Sequence, residues 1–232
     1  MKRVAIVTGA GSGIGKATAL ALSERGWTVI LAGRRLDALQ ETAGACGKGA
    51  IVVRCDVTVA SERASLVEMA AKRSAESAAL VNAAGCAMFG PLAELPEEDV
   101  VSQFETNLVA PAALCRAVLP WMREAGRGRI VNVLSIAARH VFPGAAAYGG
   151  SKAGLLQFGR SLSLEVRGEG IQVTAVLPGA TDTPLWDAGG GAPDRTLMLR
   201  AEAVAQTIAD VLDLPDDRVV DEIVLTPPLG VL

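Results

Sequence analysis

The chain has one tyrosine in 232 residues, in the stretch AAAYGGSKAG, with a lysine four positions on: Tyr148 and Lys152. Residues four apart on a helix share a face, so this spacing sets a phenol beside an amine. A free phenol has a pKa of about 10, too high for easy proton exchange near neutrality. A neighbouring ammonium favours the phenolate, and a downward move of roughly three units needs about 4 kcal/mol, within reach of a cation in a partly dry cleft. Such a tyrosine gives a proton to a carbonyl oxygen as hydride reaches the carbon, and takes one back in the reverse direction. Ser135 ends the apolar run RIVNVLS and offers a hydroxyl to the same oxygen as charge develops on it.

A second group of residues could bind rather than react. TGAGSGIGKA follows the first apolar run and opens the first helical pattern. In that setting Gly9 makes the tight turn, Gly13 lets a pyrophosphate approach the backbone, and Gly15 allows close helix–strand packing. Ser12 and Ile14 lie between them, where free N–H groups face the anion. A site for NAD would place an acidic residue at the end of the second strand. Here that strand ends LAGRR, with Gly33 at the acidic position, then Arg34 and Arg35. A guanidinium there pairs with a 2′-phosphate through charge-assisted hydrogen bonds, so the expected cofactor is NADP(H) over NAD(H).

The elements that must position these groups alternate along the chain. β-branched runs predict strands at 3–8, 27–32, 50–55, 78–83, 129–135, 171–177 and 221–226, and helical patterns fall at 14–25, 36–45, 60–75, 97–124, 147–168 and 200–212. Nearly continuous apolarity in the strands predicts a parallel sheet buried on both faces. Right-handed crossovers then favour a doubly wound α/β fold, whose ligands bind outside the carboxyl ends of the strands. No linker divides the chain, so one domain is expected over 1–232, with a cofactor half to about 130 and a catalytic and substrate-loop half from 131. The segment DTPLWDAGGGAPDRTL, 182–197, predicts a mobile loop.

Composition narrows the function classes. A formal net charge of −3 gives no electrostatic reason to expect nucleic acid or an anionic membrane as partner. No apolar run approaches the length of a membrane span, and the opening MKRVAIV meets Thr8 and Gly9 too early for an export signal. The four cysteines lack C-x-x-C spacing and read as reduced thiols of a cytoplasmic protein. A single histidine, His140, excludes a histidine-based triad and a multi-histidine metal site, and is expected on an exposed loop. Asp182, Asp187 and Asp194 lack ligand-like spacing and are expected to be solvated, so no metal site is expected.

Together TGAGSGIG at 8–15, DV at 56–57, NAAG at 82–85, Asn107 in FETNLVAP, Ser135, YGGSK at 148–152 and PGATDTP at 178–184 resemble the short-chain dehydrogenase/reductase family over essentially the whole chain. The resemblance implies a Rossmann-type fold with a seven-stranded, mostly parallel sheet and helices on both faces. It implies Tyr148 as acid and base, Lys152 holding the nicotinamide ribose and lowering the phenol pKa, Ser135 orienting substrate, and Asn107 anchoring a water in a proton relay. Asp56 and Val57 would meet the adenine, and Asn82 would support the central strand and the cofactor. Ala83, Gly85, Pro178, Gly179, Thr181 and Thr183 complete the implied cofactor contacts, with Thr183 near the carboxamide. Ala83, Leu134 and Ala138 depart from the family's usual residues, with effects expected on packing more than on chemistry.

The substrate end is expected to be walled by Met88, Phe89, Val141, Phe142, Leu185 and Trp186, with Met198 beside them. Those residues suit a small or medium apolar ketone, aldehyde or secondary alcohol. Three alternatives stand beside it. They are a 3-oxoacyl-thioester reductase using Arg127, Arg139 and Arg167 toward an acidic carrier, a 3-hydroxy acid or serine dehydrogenase clamping a carboxylate with Arg139, Arg195 or Arg200, and a non-enzymatic NADP(H)-binding regulator. The long helices at 97–124 and 147–168 carry surplus alanine and leucine and resemble those through which the family pairs subunits, so a dimer or tetramer is expected.

Overall fold

A computed structural model of the protein describes residues 2–47, 49–73, 75–187 and 194–231. In chain order the elements are β1 (Arg3–Thr8), α1 (Gly13–Glu24), β2 (Thr28–Gly33), α2 (Leu36–Cys46), β3 (Ala50–Arg54), α3 (Ala60–Ala71), β4 (Ser77–Asn82) and α4 (Glu97–Phe104). They continue with α5 (Ala110–Ala125), β5 (Gly128–Val133), α6 (Ala146–Val166), β6 (Ile171–Pro178), β7 (Thr181–Asp182), β8 (Leu199–Arg200), α7 (Ala201–Asp213) and β9 (Glu222–Leu225).

Seven strands form one sheet in the order β3-β2-β1-β4-β5-β6-β9, every pairing parallel. The chain runs outward from β1 to β3, returns to the centre, and runs outward the other way from β4. Strand order therefore reverses between β1 and β4, where an open α/β sheet leaves a crevice.

Side-chain alternation along the strands divides the core in two. Ala5, Val7, Val29, Leu31, Val81 and Val131 face α1, α2 and α7, packing on Leu22, Leu39, Val204, Ile208 and Leu212. Val4, Ile6, Ile30, Leu80, Ile130 and Val173 face α3, α5 and α6, packing on Leu66, Leu114, Val118, Met122 and Leu162. This is the doubly wound arrangement that the continuous apolar runs predict, and it has a simple cause: strands apolar on both faces need helices on both faces.

The helix expected at 97–124 is interrupted. Between α4 and α5, residues 105–109 form a π segment in which the Ala110 N–H donates to the Glu105 carbonyl, five residues back. Pro111 stands at the start of α5 and has no N–H to give the Asn107 carbonyl, so ordinary i to i+4 pairing fails there. The widened turn leaves the Asn107 side chain buried.

The segment 182–197 is expected to be a mobile loop, but its described flanks are ordered. Thr181 and Asp182 pair in parallel with Leu199 and Arg200, and single 3₁₀ turns occupy Pro184–Asp187 and Arg195–Leu197. Its glycine-rich part, 188–193, lies outside the described residues. Among the described residues no helix is long and apolar enough to cross a membrane.

Candidate active site

A cleft of about 960 Å³ opens at the carboxyl ends of the strands and runs from the end of β2 to the turn after β6. Every cofactor position expected from the sequence lines it except Asn82. Asn82 is buried beneath it, where its Nδ2 donates to Asn132 Oδ1 at 2.9 Å. It joins β4 to β5 under the floor of the cleft.

The nucleotide end is built from backbone. Gly13, with φ of +52, stands at the first residue of α1, and a Cβ there would meet Thr183 Cγ2 at 3.1 Å across the cleft. A Cβ on Gly15 would lie under 3.0 Å from the Gly9 carbonyl, so α1 can start this close to β1 only without a side chain. Thr8 stitches the two strands at the reversal point. Its Oγ1 accepts the N–H groups of Ala83 and Ala84, both at 3.1 Å. Beyond the glycines, Arg34 and Arg35 are exposed at the end of β2 and make no ion pair within 4.0 Å among the described residues. Asp56 lies across from them, held below the usual carboxylate range first by the Thr58 N–H and hydroxyl and more weakly by Arg34 and Arg54, against the opposing effect of burial.

The chemical end is built from side chains. Tyr148 and Lys152 lie on the first turns of α6, both buried, with the lysine Nζ 5.8 Å from the centre of the phenol ring. Lys152 donates to the Val133 carbonyl at 3.0 Å. Ser135 follows β5 in extended backbone and its Oγ accepts the Ala137 N–H at 3.1 Å, fixing the hydroxyl at the rim. That hydroxyl also lies near enough to the Tyr148 phenol to favour its ionised form.

Burial dominates the electrostatics of this pair. It raises the Tyr148 phenol above its ordinary value, with the Ser135 hydroxyl pulling the other way. It pushes the Lys152 amine down to about 8. A dry site penalises both charged forms, and the Lys152 amine donates to a backbone carbonyl. The phenol stays protonated at neutral pH, the form a proton donor needs.

The Asn107 side chain bridges two elements. Its Oδ1 accepts the Cys86 N–H at 3.0 Å, and its Nδ2 donates to the Cys86 carbonyl at 2.9 Å and to Ser151 Oγ at 3.1 Å. Ser151 in turn donates to the Tyr148 carbonyl at 2.7 Å. One helical turn earlier, Gln103 Oε1 accepts the Met88 N–H at 3.1 Å. Two amides from one helix thus hold the loop after β4 much as a neighbouring strand would.

That loop carries the substrate wall. Phe89 meets the Tyr148 ring edge-on at 5.6 Å and stacks on Trp186 at 5.6 Å with planes 19° apart. Met88, Phe142 and Leu185 also line the cleft. Val141 does not: it is 95% exposed on the far side of its loop. Met198 is 7% exposed, packed inward by the short pairing of β8, and also lies off the wall.

His140 is exposed on its loop, as expected. Asp182 and Asp187 are more than solvated charges, since Arg195 pairs with Asp182 at 2.9 Å and with Asp187, while Asp194 caps its own turn by accepting the Thr196 N–H at 2.9 Å. Sequence reasoning missed Thr8, Cys86, Gln103 and Ser151 as positioning residues. Only Ser151 carried a signal, being three residues from Tyr148 and so on its face of the helix.

The chain was compared with known proteins. The family model described as short chain dehydrogenase matches residues 3–190. A glycine betaine reductase of Emericella nidulans is 35% identical over 97% of this chain, which spans only 19% of that protein. An uncharacterised oxidoreductase of Staphylococcus aureus is 31% identical, with 97% of each chain covered. Among solved structures, an alcohol dehydrogenase of the archaeon Thermococcus sibiricus complexed with 5-hydroxy-NADP has a TM-score of 0.89 at 27% identity, covering 97% of this chain and 96% of that one. An actinorhodin polyketide ketoreductase with NADPH has a TM-score of 0.87 at 30% identity, covering 97% and 95%. The glycine-built nucleotide end, the buried tyrosine, lysine and serine, and these matches agree: the protein belongs to the short-chain dehydrogenase family of oxidoreductases.

Proposed function

We propose that the protein transfers hydride reversibly between NADP(H) and a neutral ketone or aldehyde, or the matching secondary alcohol. The observation that carries this reading is Tyr148, buried beside Lys152 and sharing the cleft with Ser135, under a wall of Met88, Phe89, Phe142, Leu185 and Trp186. The cofactor fits what the residues offer: a cradle at the start of α1 that a Cβ would fill, and two unpaired guanidiniums where a 2′-phosphate would lie. NADP or NADPH is also present in several solved neighbours. When bound, the nicotinamide supplies or accepts the hydride. Tyr148 supplies the proton and Ser135 steadies the oxygen, while Lys152, one helical turn on from Tyr148, stands where the nicotinamide ribose would be held.

A charged substrate finds little help here. Arg139 is paired with Glu222, Arg195 with Asp182 and Asp187, Arg167 with Asp221 at 3.0 Å and Arg127 with Asp216 at 3.0 Å. These pairings disfavour a basic carrier surface and a carboxylate clamp from Arg139 or Arg195, leaving exposed Arg200 as the clamp candidate with no ion pair among the described residues. Four free cysteines support a reducing, cytoplasmic setting. Exposed Val101, Phe104, Val109 and Leu164 on α4, the π segment and α6 support pairing of two copies, which light scattering at micromolar concentration reads directly.

The test is NADPH consumption, with NADH beside it, across neutral ketones, β-keto thioesters and keto acids. Neutral ketones are expected to lead, and Tyr148→Phe is expected to lower turnover by about 10²–10⁴-fold while NADPH still binds. Charged acids leading the panel, or turnover that survives the substitution, would refute the reading.

A further inference from the structure

The amino ends of the central strands lie at the opposite edge of the sheet from the cleft. There Arg3 begins β1 and Ser77 begins β4, and the two are partners in the ladder. Arg127 precedes β5, and its carbonyl accepts the Ala78 N–H at 3.0 Å. Parallel register thus sets a guanidinium, a hydroxyl and a second guanidinium side by side. With Leu212 and Asp213 from the end of α7 they line a cavity of about 320 Å³ that shares no residue with the cleft.

The charges around it do not balance evenly. Arg3 and Arg25 converge on Asp213 at 2.8 and 3.3 Å, and Arg25 also reaches Asp210 at 2.6 Å. Arg127 and Arg129 share a single carboxylate, Asp216, at 3.0 and 2.6 Å, and Asp216 is itself 60% exposed. Both Nη2 groups donate to the Leu214 carbonyl, at 2.6 and 3.1 Å, just past the end of α7. Capping that helix explains those two nitrogens and no others. Arg129 is 2% exposed, yet its Nε and Nη1 have no acceptor among the described residues. Arg127 Nε lies within ion-pair distance of Asp216 without hydrogen-bond alignment, and Ser77 Oγ at the cavity wall is buried with no partner among the described residues. Burial, aided by Arg127, draws the Arg129 pKa down against the pull of Asp216, the sign of an undercompensated cation.

Buried donors without acceptors are destabilising, and two of these, Ser77 Oγ and Arg127 Nε, belong to residues that line the cavity, marking a place for a group that brings acceptor oxygens. The cavity is at the small end of ligand sites. Guanidinium forks match a tetrahedral oxyanion, which offers several acceptors and the missing negative charge at once.

We propose that this cavity binds a small tetrahedral oxyanion, phosphate or the phosphate head of a monoester, through Arg3, Arg127 and Ser77, with Arg129 behind them.

The test is calorimetry and thermal unfolding of the NADPH-saturated protein titrated with inorganic phosphate, against chloride at equal ionic strength. At ten times its Kd, phosphate is expected to raise Tm by roughly 3–6 °C. Ser77→Ala is expected to hold or raise the anion-free Tm, because no bond is lost and an unpartnered hydroxyl is removed, yet to weaken phosphate measurably. Arg127→Gln is expected to weaken it at least tenfold. Should Arg127→Gln fail to fold, Ser77→Ala decides alone. A Tm rise matched by chloride, a rise unchanged in Ser77→Ala, or no heat and no rise at all overturns the proposal. Glycerol phosphate separates the sources: affinity equal to phosphate assigns the free ion, and affinity tenfold higher assigns the head of a larger ligand.

Discussion

The two ends of the cleft are made of different material. At the nucleotide end Gly9, Gly13 and Gly15 bring bare backbone to where a pyrophosphate would lie, and what matters there is the absence of side chains. At the chemical end Ser135, Tyr148 and Lys152 are buried or half-buried functional groups, with Ser135 and Lys152 each fixed by another polar atom. The first end should fail when a Cβ is added and tolerate changes of polarity; the second should keep its shape and fail when one functional group is exchanged.

The sharpest way to break that contrast is Gly15→Val. Its Cβ would sit against the Gly9 carbonyl, which as backbone cannot swing aside. A loss of about 3 kcal/mol or more in stability is expected, with NADPH binding lost, as measured by denaturant unfolding and fluorescence titration. If the variant instead folds normally and binds NADPH, the nucleotide end is not backbone-limited.

Arg34→Ala probes a side-chain contribution at that end. Loss of a charge-assisted contact to a 2′-phosphate is expected to weaken NADPH by about 10–100-fold and leave NADH within about twofold, in paired Kd measurements. Equal weakening of both cofactors would mean that the arginine does not read the phosphate.

The chemical end has a pH signature. Lys152, at about 8 in the fold against 10.5 when free, binds fewer protons folded than unfolded, so its contribution to stability rises with pH from about 8 upward. Cys55 and Cys115, raised by burial to about 11 and about 12 from 9.0, act the other way as pH climbs through 9. Comparing wild type with Lys152→Met cancels the cysteines. The wild type is expected to gain about 1 kcal/mol relative to the variant between pH 8 and 9, and a flat difference would show that the amine is not desolvated.

Arg195→Ala should matter least. Its pairs with Asp182 and Asp187 are exposed, and exposed pairs contribute little. A stability change below about 1 kcal/mol is expected, with KM moving by less than about threefold in steady-state assays. A larger KM change would show that the pairs shape the substrate end.

The same contrast explains what could be read from the sequence. Strand and helix placement was legible because apolar runs of strand length and of helix period differ, and Gly9, Gly13 and Gly15 stand where a side chain would strain the backbone or strike it. Tyr148, Lys152 and Ser135 were legible as residue types at the correct spacing. What spacing could not show was solvation: the pair looked like a cation beside a phenolate, and burial makes it a neutral phenol near a depressed amine. Nor could it show which way a loop faces. Val141 and Phe142 are adjacent and equally apolar, yet one is in solvent and the other on the wall. The π segment was hidden because Pro111 near a helix start reads as ordinary, although here it leaves the preceding turn one donor short.

Gln103 and Asn107 hold the loop that carries Met88 and Phe89, and the same two turns present Val101, Phe104 and Val109 to the outside. The substrate wall is therefore suspended from a helix whose other side is free to be gripped. A displacement of that helix would reach Met88 and Phe89 through the amides of Gln103 and Asn107. Selectivity in this protein need not be a property of the cleft alone; it can be inherited from the company the helix keeps.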